Sequence, residues 1–345
     1  YCHIRNKSLN HLLLVRIFFT LAPLKINKTL RFKNYIILFI SIMLLPTLGI
    51  SQQAPQFTQY KYSQMYINPA FAGMSEGICI NGLGRQQWSG FKDSEGNSVA
   101  PNTFMISADS PIKVLHGGIG SSITQDKLAQ WSDISLQIAY SYHMDLSLGS
   151  LGIGAGINLT NRSIDFSTFT PFQDGDPVLL TAEQSSMVFD VDFGLFFRSP
   201  DRFYVGVSAT NLLESAAKKL TANDVGVMND RALYIVGGYQ FLLPNNPSFE
   251  IEPSLLIYSD ITTTQYNLST VVKYNNRFWG GLNYRFQESI GVMIGMSVKD
   301  FRIGYSYDIP TLTVGVPGSH EIHLGYCFKI NVDRSGTRYK NTRYL

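Results

Sequence analysis

Short runs of alternating apolar and polar residues recur along most of the chain. In the segment FEIEPSLLIYS, Phe249, Ile251 and Leu255 fall on one face, and Glu250 and Glu252 fall on the other. The segments FRIGYSYD and EIHLGYCFKI alternate in the same way. Because successive side chains of a strand point to opposite faces, each run predicts a β-strand. One apolar face and one polar, glycine-containing face is typical of a barrel that meets lipid, although a soluble β-sandwich shows the same alternation.

The lengths of the connections separate these two folds. Fourteen runs lie near 77–88, 102–110, 116–125, 131–143, 149–161, 186–198, 202–211, 230–242, 248–260, 264–274, 277–286, 289–298, 300–308 and 319–330. Connections after even-numbered runs are short and contain turn-forming clusters such as SPDR and YNNR. Long connections follow odd-numbered runs, at 89–101, 162–185, 212–229 and 309–318. Long loops on one rim and short turns on the other are typical of outer-membrane barrels. We therefore predict an all-β fold, a transmembrane antiparallel β-barrel of about 14 strands.

The first 51 residues predict export. Residues 1–51 contain seven basic residues and no acidic residue. The apolar stretch YIILFISIMLLPTL has the length of a signal-peptide core, and Gly49 and Ser51 supply small residues for cleavage before Gln52. We treat 1–51 as upstream sequence and a signal peptide that is removed. The prediction is a protein of the Gram-negative outer membrane.

The charge of the mature chain excludes a nucleic-acid partner. The whole chain has a net charge of +3, but subtracting the seven leader residues from 28 basic residues leaves 21, against 25 acidic residues. A second basic cluster lies in the tail 331–345, which we expect in the periplasm; its basic residues are Arg334, Arg338, Lys340 and Arg343. The basic excess is therefore confined to the two ends of the chain.

The polar positions of the predicted strands would line the barrel lumen. These residues are Arg85, Glu250, Glu252, Lys273, Arg285, Arg302, Glu321 and His323. Mixed signs favour a self-neutralising network over a charge-selective pore. About eight strands suffice for side chains to fill a barrel, so a lumen of fourteen strands needs another occupant.

The segment QQAPQFTQYKYSQMYINPAFAG at the start of the mature chain has neither a strand nor a helix period. We predict that residues 52–76 form a plug or a periplasmic-rim latch ahead of a barrel at 77–330, with the new amino terminus on the periplasmic side. An exposed, disordered lead-in is the alternative. The residues expected to matter in this segment are Phe57, Tyr60, Tyr62, Tyr66, Asn68, Pro69, Phe71 and Gly73.

Two cysteines remain after leader removal, Cys79 and Cys327, on the inward faces of the first and last predicted strands. Barrel closure pairs these strands antiparallel, which brings both thiols to a similar height near the periplasmic rim. We expect them to be close, and the sequence leaves open whether they form a disulfide.

No motif indicates an enzyme, a metal or a cofactor. His320 and His323 are three residues apart on a predicted strand and so point to opposite faces. The glycines of LGIGAG recur with period two, which favours close approach of a plug or of a neighbouring side chain over a phosphate-binding loop. Glu250 and Glu252 share a face, but opposite lysine and arginine they favour a salt network over an acid–base pair.

Several blocks together resemble the PorP/SprF family of outer-membrane proteins of the Bacteroidota type IX secretion system. The most specific block is QFTQYKYSQMYINPAFAG, and GRQQWSGF supplies a second with Arg85, Gln87 and Trp88. Further matches are DRFYVGVSATNLL, YIVGGYQF, NRFWGGLNYR, RIGYSYD and GSHEIHLGY. The resemblance covers about 52–345.

The resemblance implies a non-enzymatic role in secretion and surface display. The partner would be a large secreted surface adhesin, bound through its carboxy-terminal signal domain, or a periplasmic lipoprotein of the secretion and gliding machinery. A plugged transporter or porin for small or apolar solutes is the main alternative. An outer-membrane lipid hydrolase is a third, for which no residue stands out.

Overall fold

The structure is a computed structural model that describes residues 54–75, 77–93, 96, 98–168, 182–200, 202–217, 227–244, 246–311 and 316–329. The predicted leader at 1–51 and the basic tail at 331–345 lie outside these residues.

Fourteen antiparallel strands form a closed barrel in the described part of the chain. Their bounds are β1 Gly77–Gln86, β2 Asn102–Ile112, β3 Gly117–Leu128, β4 Trp131–Leu146, β5 Gly149–Ile164, β6 Gln184–Arg198, β7 Phe203–Thr210, β8 Ala232–Tyr239, β9 Phe249–Ser259, β10 Thr264–Tyr274, β11 Phe278–Arg285, β12 Ser289–Val298, β13 Phe301–Pro310 and β14 Ser319–Lys329. Each strand pairs with its sequence neighbours, and β1 pairs with β14 to close the ring. The predicted fold class is confirmed.

Many predicted strand ends differ from the structure by one to three residues, and two of these differences have a clear physical reason. The first strand was expected to reach residue 88, but β1 ends at Gln86, and Trp88 has a φ of 49° that a strand does not accommodate. The eighth run was expected to continue to 242, but its ladder breaks after Tyr239 and resumes at Phe241–Leu242. The break lies opposite Pro253, which has no N–H to donate to the ladder.

Inward and outward positions alternate as the sequence predicts. On β12, Ile290, Val292 and Ile294 are exposed on the outside, whereas Ser289 and Met293 are buried in the lumen. A continuous outer surface of such side chains matches the lipid-facing band of a membrane barrel. None of the helices among the described residues is long and apolar enough to cross a membrane.

The two rims of the barrel differ in the length of their connections. The three longest connections, 87–101, 165–183 and 211–231, all follow odd-numbered strands. We call this end the long-loop rim and the opposite end the short-turn rim. In outer-membrane barrels the short turns face the periplasm and the longer loops face the outside.

The segment 54–75 lies inside the barrel and runs along its axis. Ala54 borders a small cavity beside Thr210, which lies at the long-loop end of β7. Ser75 bonds Asp109, near the short-turn end of β2. The described segment therefore starts in the long-loop half and descends to the short-turn rim before β1 begins. We expected the segment to start on the periplasmic side, and this was wrong. The wall binds it with Ala54 in the long-loop half and Ser75 near the short-turn rim.

A disulfide joins Cys79 and Cys327 across the closing pair of strands. The two residues are direct partners in the β1–β14 ladder, and their Cα atoms are 4.1 Å apart. The bond spans 248 residues of sequence and ties the first strand to the last at the short-turn rim. It therefore converts the barrel wall into a covalently closed ring.

We expect the double variant C79S/C327S to lower the free energy of unfolding by about 2–4 kcal/mol, because a disulfide restricts the unfolded chain. Urea unfolding of the refolded barrel in detergent, followed by heat-modified mobility on gels, measures the change. Wild-type protein treated with a reductant should match the double variant. Equal stability of oxidised and reduced wild-type protein would contradict the prediction.

Candidate functional site

The N-terminal segment is a plug held by the inward wall of the barrel. It consists of three short helical turns: a 3-10 turn at Tyr60–Tyr62, the helix α1 at Gln64–Ile67 and a 3-10 turn at Pro69–Phe71. Most of its side chains are buried, so the alternative of an exposed lead-in does not describe residues 54–75. We call residues 54–75 the plug.

The first anchor is a buried carboxylate that receives the backbone of the plug. Glu321 accepts the N–H groups of Thr58 and Gln59, each at 2.8 Å. Arg85 donates to Asp308 at 2.6 Å and to Glu321 at 3.3 Å. The hydroxyl of Thr58 donates to Asp308 at 2.6 Å and accepts from Arg85 at 3.0 Å. We call these five residues the Arg85 cluster, and all of them are buried.

The electrostatics of the Arg85 cluster require the plug. Asp308 and Glu321 form ion pairs with Arg85, and the buried Arg285 guanidinium interacts with both from a greater distance, without a hydrogen bond to either. Buried charges need both an opposite charge and hydrogen bonds, and the N–H groups of the plug supply the missing donors to Glu321. Plug and wall therefore form one hydrogen-bonded unit.

A second anchor joins the plug to β9 and β10. Lys61 pairs with Glu252, and Lys273 pairs with both Glu252 and Glu250. The distance from the Lys273 ammonium to Glu250 is 3.0 Å. Beside this network the Tyr60 hydroxyl lies 2.7 Å from that of Ser254. Two cations and two carboxylates neutralise one another here, so these four charges form a network of the kind that the sequence predicts, whereas Arg302 has no carboxylate partner among the described residues.

The third anchor is Asn68, at the start of the Asn-Pro-Ala turn. Its side-chain oxygen accepts the N–H of Ala70 at 2.9 Å and caps the turn that Pro69 begins. Its amide nitrogen donates to the carbonyl of Leu195 in the barrel wall at 3.0 Å. A single side chain therefore closes the turn and fastens it to β6.

Glycines in the wall allow the backbone of the plug to approach closely. A Cβ added at Gly154 would overlap the backbone of Ala70, and one at Gly152 would lie 2.6 Å from the carbonyl oxygen of Ala70. These are glycines of the LGIGAG run, which lie on one face of β5. The glycines at every second position thus leave a groove on the inner wall, in which the turn at Pro69–Phe71 lies.

Polar wall side chains satisfy the carbonyl groups of the plug. Ser208 donates to Ile67 at 2.7 Å, and Ser141 donates to Ala70 at 2.9 Å. Closer to the short-turn rim, Arg198 donates to the Met74 carbonyl at 2.8 Å. Buried backbone groups need partners, and here the wall supplies partners that the short helical turns lack.

Aromatic side chains add further contacts between plug and wall. The Tyr62 ring stacks on His323 at 3.9 Å between centroids, and the Arg302 guanidinium lies 5.6 Å from the Tyr62 centroid. Phe57 and Tyr66 meet edge-to-face at 6.2 Å within the plug.

The other predicted residues lie outside these anchors. Phe71 packs against Phe196 with ring centroids 5.3 Å apart. Gly73 has a φ of 70° and lies against Gly118, where a side chain would not fit. Arg285 pairs with Glu288 at 2.6 Å on the long-loop side.

The family block after β1 lies at the long-loop rim. The Gln87 N–H bonds the Pro101 carbonyl at 2.9 Å, and the Trp88 N–H bonds the Ser319 hydroxyl at 3.2 Å. Of the three residues of this block, Arg85 alone takes part in an anchor.

Sequence reasoning missed several wall and plug groups. These are Thr58, Asp308, Ser141, Arg198 and Ser208. The inward position of those on strands is predictable. Ser141, Arg198 and Ser208 bind plug carbonyls, which carry no residue-specific signal, and Asp308 binds the Thr58 hydroxyl and the Arg85 guanidinium. No group of acids, cysteines and histidines suited to a metal ion occurs among the described residues.

The comparisons with known proteins agree with this architecture. Residues 50–326 match the model of the family described as type IX secretion system membrane protein PorP/SprF. The chain belongs to the PorP/SprF family. It is therefore a membrane protein of the type IX secretion system with an outer-membrane barrel fold. No curated protein matches the chain.

Solved outer-membrane barrels resemble the chain in outline. The toluene transporter TbuX of Ralstonia pickettii is 12% identical with a TM-score of 0.47, and the match covers 77% of this chain and 94% of that one. Omp33 of Acinetobacter baumannii is 8% identical with a TM-score of 0.43, and the match covers 73% and 98%.

We expect R85Q to destabilise the PorP/SprF barrel by about 3–5 kcal/mol, because the change leaves Asp308 and Glu321 buried without their cation. Urea unfolding of the refolded protein measures the loss. The control is R231Q, which breaks the exposed pair of Arg231 with Glu214 and should cost about 0–1 kcal/mol. Equal effects of the two substitutions would show that the Arg85 cluster contributes little.

We expect G154A to destabilise the protein by about 1–3 kcal/mol and to expose the plug to protease, because the new methyl group overlaps the plug backbone. The control is G84A on β1, where the nearest atom to an added Cβ is 3.9 Å away in a side chain. Limited proteolysis with mass spectrometry of fragments from 54–75 measures the exposure. An unchanged cleavage pattern in G154A would refute close contact at this position.

Proposed function

We propose that this protein is a plugged outer-membrane barrel that binds a protein partner of the type IX secretion system for export or surface retention. The partner is a secreted adhesin recognised through its carboxy-terminal signal domain, or a periplasmic lipoprotein of the secretion and gliding machinery. The role is non-enzymatic.

The observation that carries the proposal is the attachment of the plug. Three anchors hold it at different heights: Glu321 with the N–H groups of Thr58 and Gln59, the Glu252 network, and Asn68 on the β6 wall. A plug held by buried charges and close glycine contacts does not leave at low cost. A barrel closed in this way supports binding of proteins at its rims better than passage of solutes.

The alternative function, transport of small or apolar solutes, has one observation in its favour. A cavity of about 440 Å³ remains in the lumen. It is lined by plug residues, including Tyr60, Tyr62 and Phe71, so a solute entering it meets the plug. Transport would require the plug to move.

Conductance separates the two functions. We expect purified wild-type protein in planar bilayers to show no sustained conductance, and a variant lacking residues 54–70 to form open pores, because the plug is what fills the lumen. Solute-dependent flux through the wild-type protein would contradict the docking role.

Identification of co-purifying proteins tests whether the protein binds a partner of the secretion system. Tagged protein is purified from gently solubilised outer membrane of a strain that carries the secretion system, and co-purifying proteins are identified by mass spectrometry. The same strain with untagged protein is the control. We expect a secreted adhesin or a secretion-system lipoprotein in the tagged sample alone, and recovery of neither would overturn the proposal.

A further inference from the structure

The cavity of about 440 Å³ opens at the short-turn rim of the lumen. Its lining extends from Ser199 and Arg202, at the turn between β6 and β7, inward to Tyr62 of the plug and Trp279. Ligand pockets in proteins typically measure about 300–1,000 Å³. The mouth therefore faces the periplasm, and the plug forms the floor.

The charges that line this cavity are unbalanced. Its cationic side chains are Lys61, Arg198, Arg202, Lys273 and Arg302, and its carboxylate is Glu252. Lys61 and Lys273 are neutralised by Glu252 and its neighbour Glu250. Within the described part of the chain, no carboxylate lies within ion-pair distance of Arg202 or Arg302. Two guanidinium groups are thus available to an anion in the cavity.

Arg302 is held in position by its surroundings. Its Nη2 atom donates to the Cys327 sulfur at 3.0 Å, and its guanidinium carbon lies 5.6 Å from the centroid of the Tyr62 ring. An oriented guanidinium loses little entropy when it binds a carboxylate in the two-pronged geometry that suits both groups. Arg202 is exposed at the mouth and is free to follow a ligand.

The largest uncharged side chains of the lining are aromatic, and they are interspersed with serines, glutamines and Thr58. The aromatic residues include Tyr62, Phe71, Phe196, Phe203, Tyr204 and Trp279. Aromatic walls with a few oriented polar groups are typical of sites that take an apolar body carrying a polar group. The combination selects a ligand with both an aromatic or apolar part and a carboxylate.

We propose that this cavity is a docking pocket for a carboxylate-bearing, aromatic segment of a polypeptide presented from the periplasm. Arg302 pairs with a carboxylate inside the cavity, and Arg202 with a second at the mouth. The proposal rests on the proposed function and names the chemistry that the partner must carry. The floor of plug residues makes the pocket a dead end, which fits a docked segment rather than a substrate in transit. The chain's own tail at 331–345 has four basic residues and one acidic residue, so it does not match the charge of the pocket.

The test uses full-length protein in detergent and a short fluorescent peptide with a phenylalanine between two aspartates and a free C-terminal carboxylate. A matched peptide has asparagines and a C-terminal amide. Fluorescence anisotropy gives the affinity of each for wild-type protein, R302Q, R202Q and the control R277Q. Arg277 is exposed in the turn between β10 and β11, and it is not part of the lining.

We expect the acidic peptide to bind wild-type protein and R277Q equally, and to bind R302Q and R202Q about tenfold more weakly, since each loses a charge-assisted contact. The amide peptide should bind weakly and respond little to either substitution. Added salt should lower the affinity of the acidic peptide, mainly by screening its ion pair with the exposed Arg202. Because Arg202 is exposed, R202Q remains informative if R302Q fails to fold.

Three results would overturn the inference: equal affinity for the two peptides, unchanged affinity in both R302Q and R202Q, or benzoate binding as tightly as the peptide. The last would indicate a pocket for small solutes.

Co-purification from the outer membrane separates this inference from the proposed function. If no secretion partner co-purifies with wild-type protein, the proposed function fails. If a partner co-purifies equally with wild-type protein and R202Q/R302Q, the pocket assignment alone fails.

Discussion

The structure depends on the neutralisation of Glu321 inside the lumen. This side chain is 1% exposed, and its two oxygens receive the N–H groups of Thr58 and Gln59 together with the Arg85 guanidinium. A buried carboxylate without such partners is strongly unfavourable. Plug and wall therefore stabilise each other, and a barrel that lacks the plug is expected to fold with lower stability.

Other features of the wall follow from the same requirement. A fourteen-stranded barrel is too wide to be filled by its own side chains, so the interior must accept a second chain segment and satisfy its backbone. Serines at 141 and 208 donate to plug carbonyls, and glycines on β5 leave room for the turn at Pro69–Phe71. The segment that lacks any regular period is the one that completes the core of the barrel.

The arrangement divides the protein into regions with different roles. Buried contacts hold the plug along the middle of the lumen, and the short-turn half keeps a cavity lined by guanidinium groups that have no carboxylate partner among the described residues. A rigid body with an open, charged pocket supports the proposed docking of another molecule at the periplasmic face of the outer membrane.

Much of this fold follows from the sequence by elementary rules. Alternation alone assigns Glu250 and Arg302 to the lumen, and barrel closure brings Cys79 and Cys327 to one height. The direction of the plug does not follow, because its first anchor binds backbone amides, as between Thr58 and Glu321, which lie 263 residues apart in sequence. A backbone N–H is the same in every residue except proline, so no pattern of side chains records which wall group receives it.

Hydrogen exchange of residues 54–75, in protein reconstituted into lipid, tests the central claim most directly. If the wall binds the backbone of the plug, the amides of Thr58, Gln59 and Ala70 exchange as slowly as those of the barrel strands, since all open only on global unfolding. Exchange of the whole segment at the rate of an unstructured peptide, with the strands still protected, would contradict it.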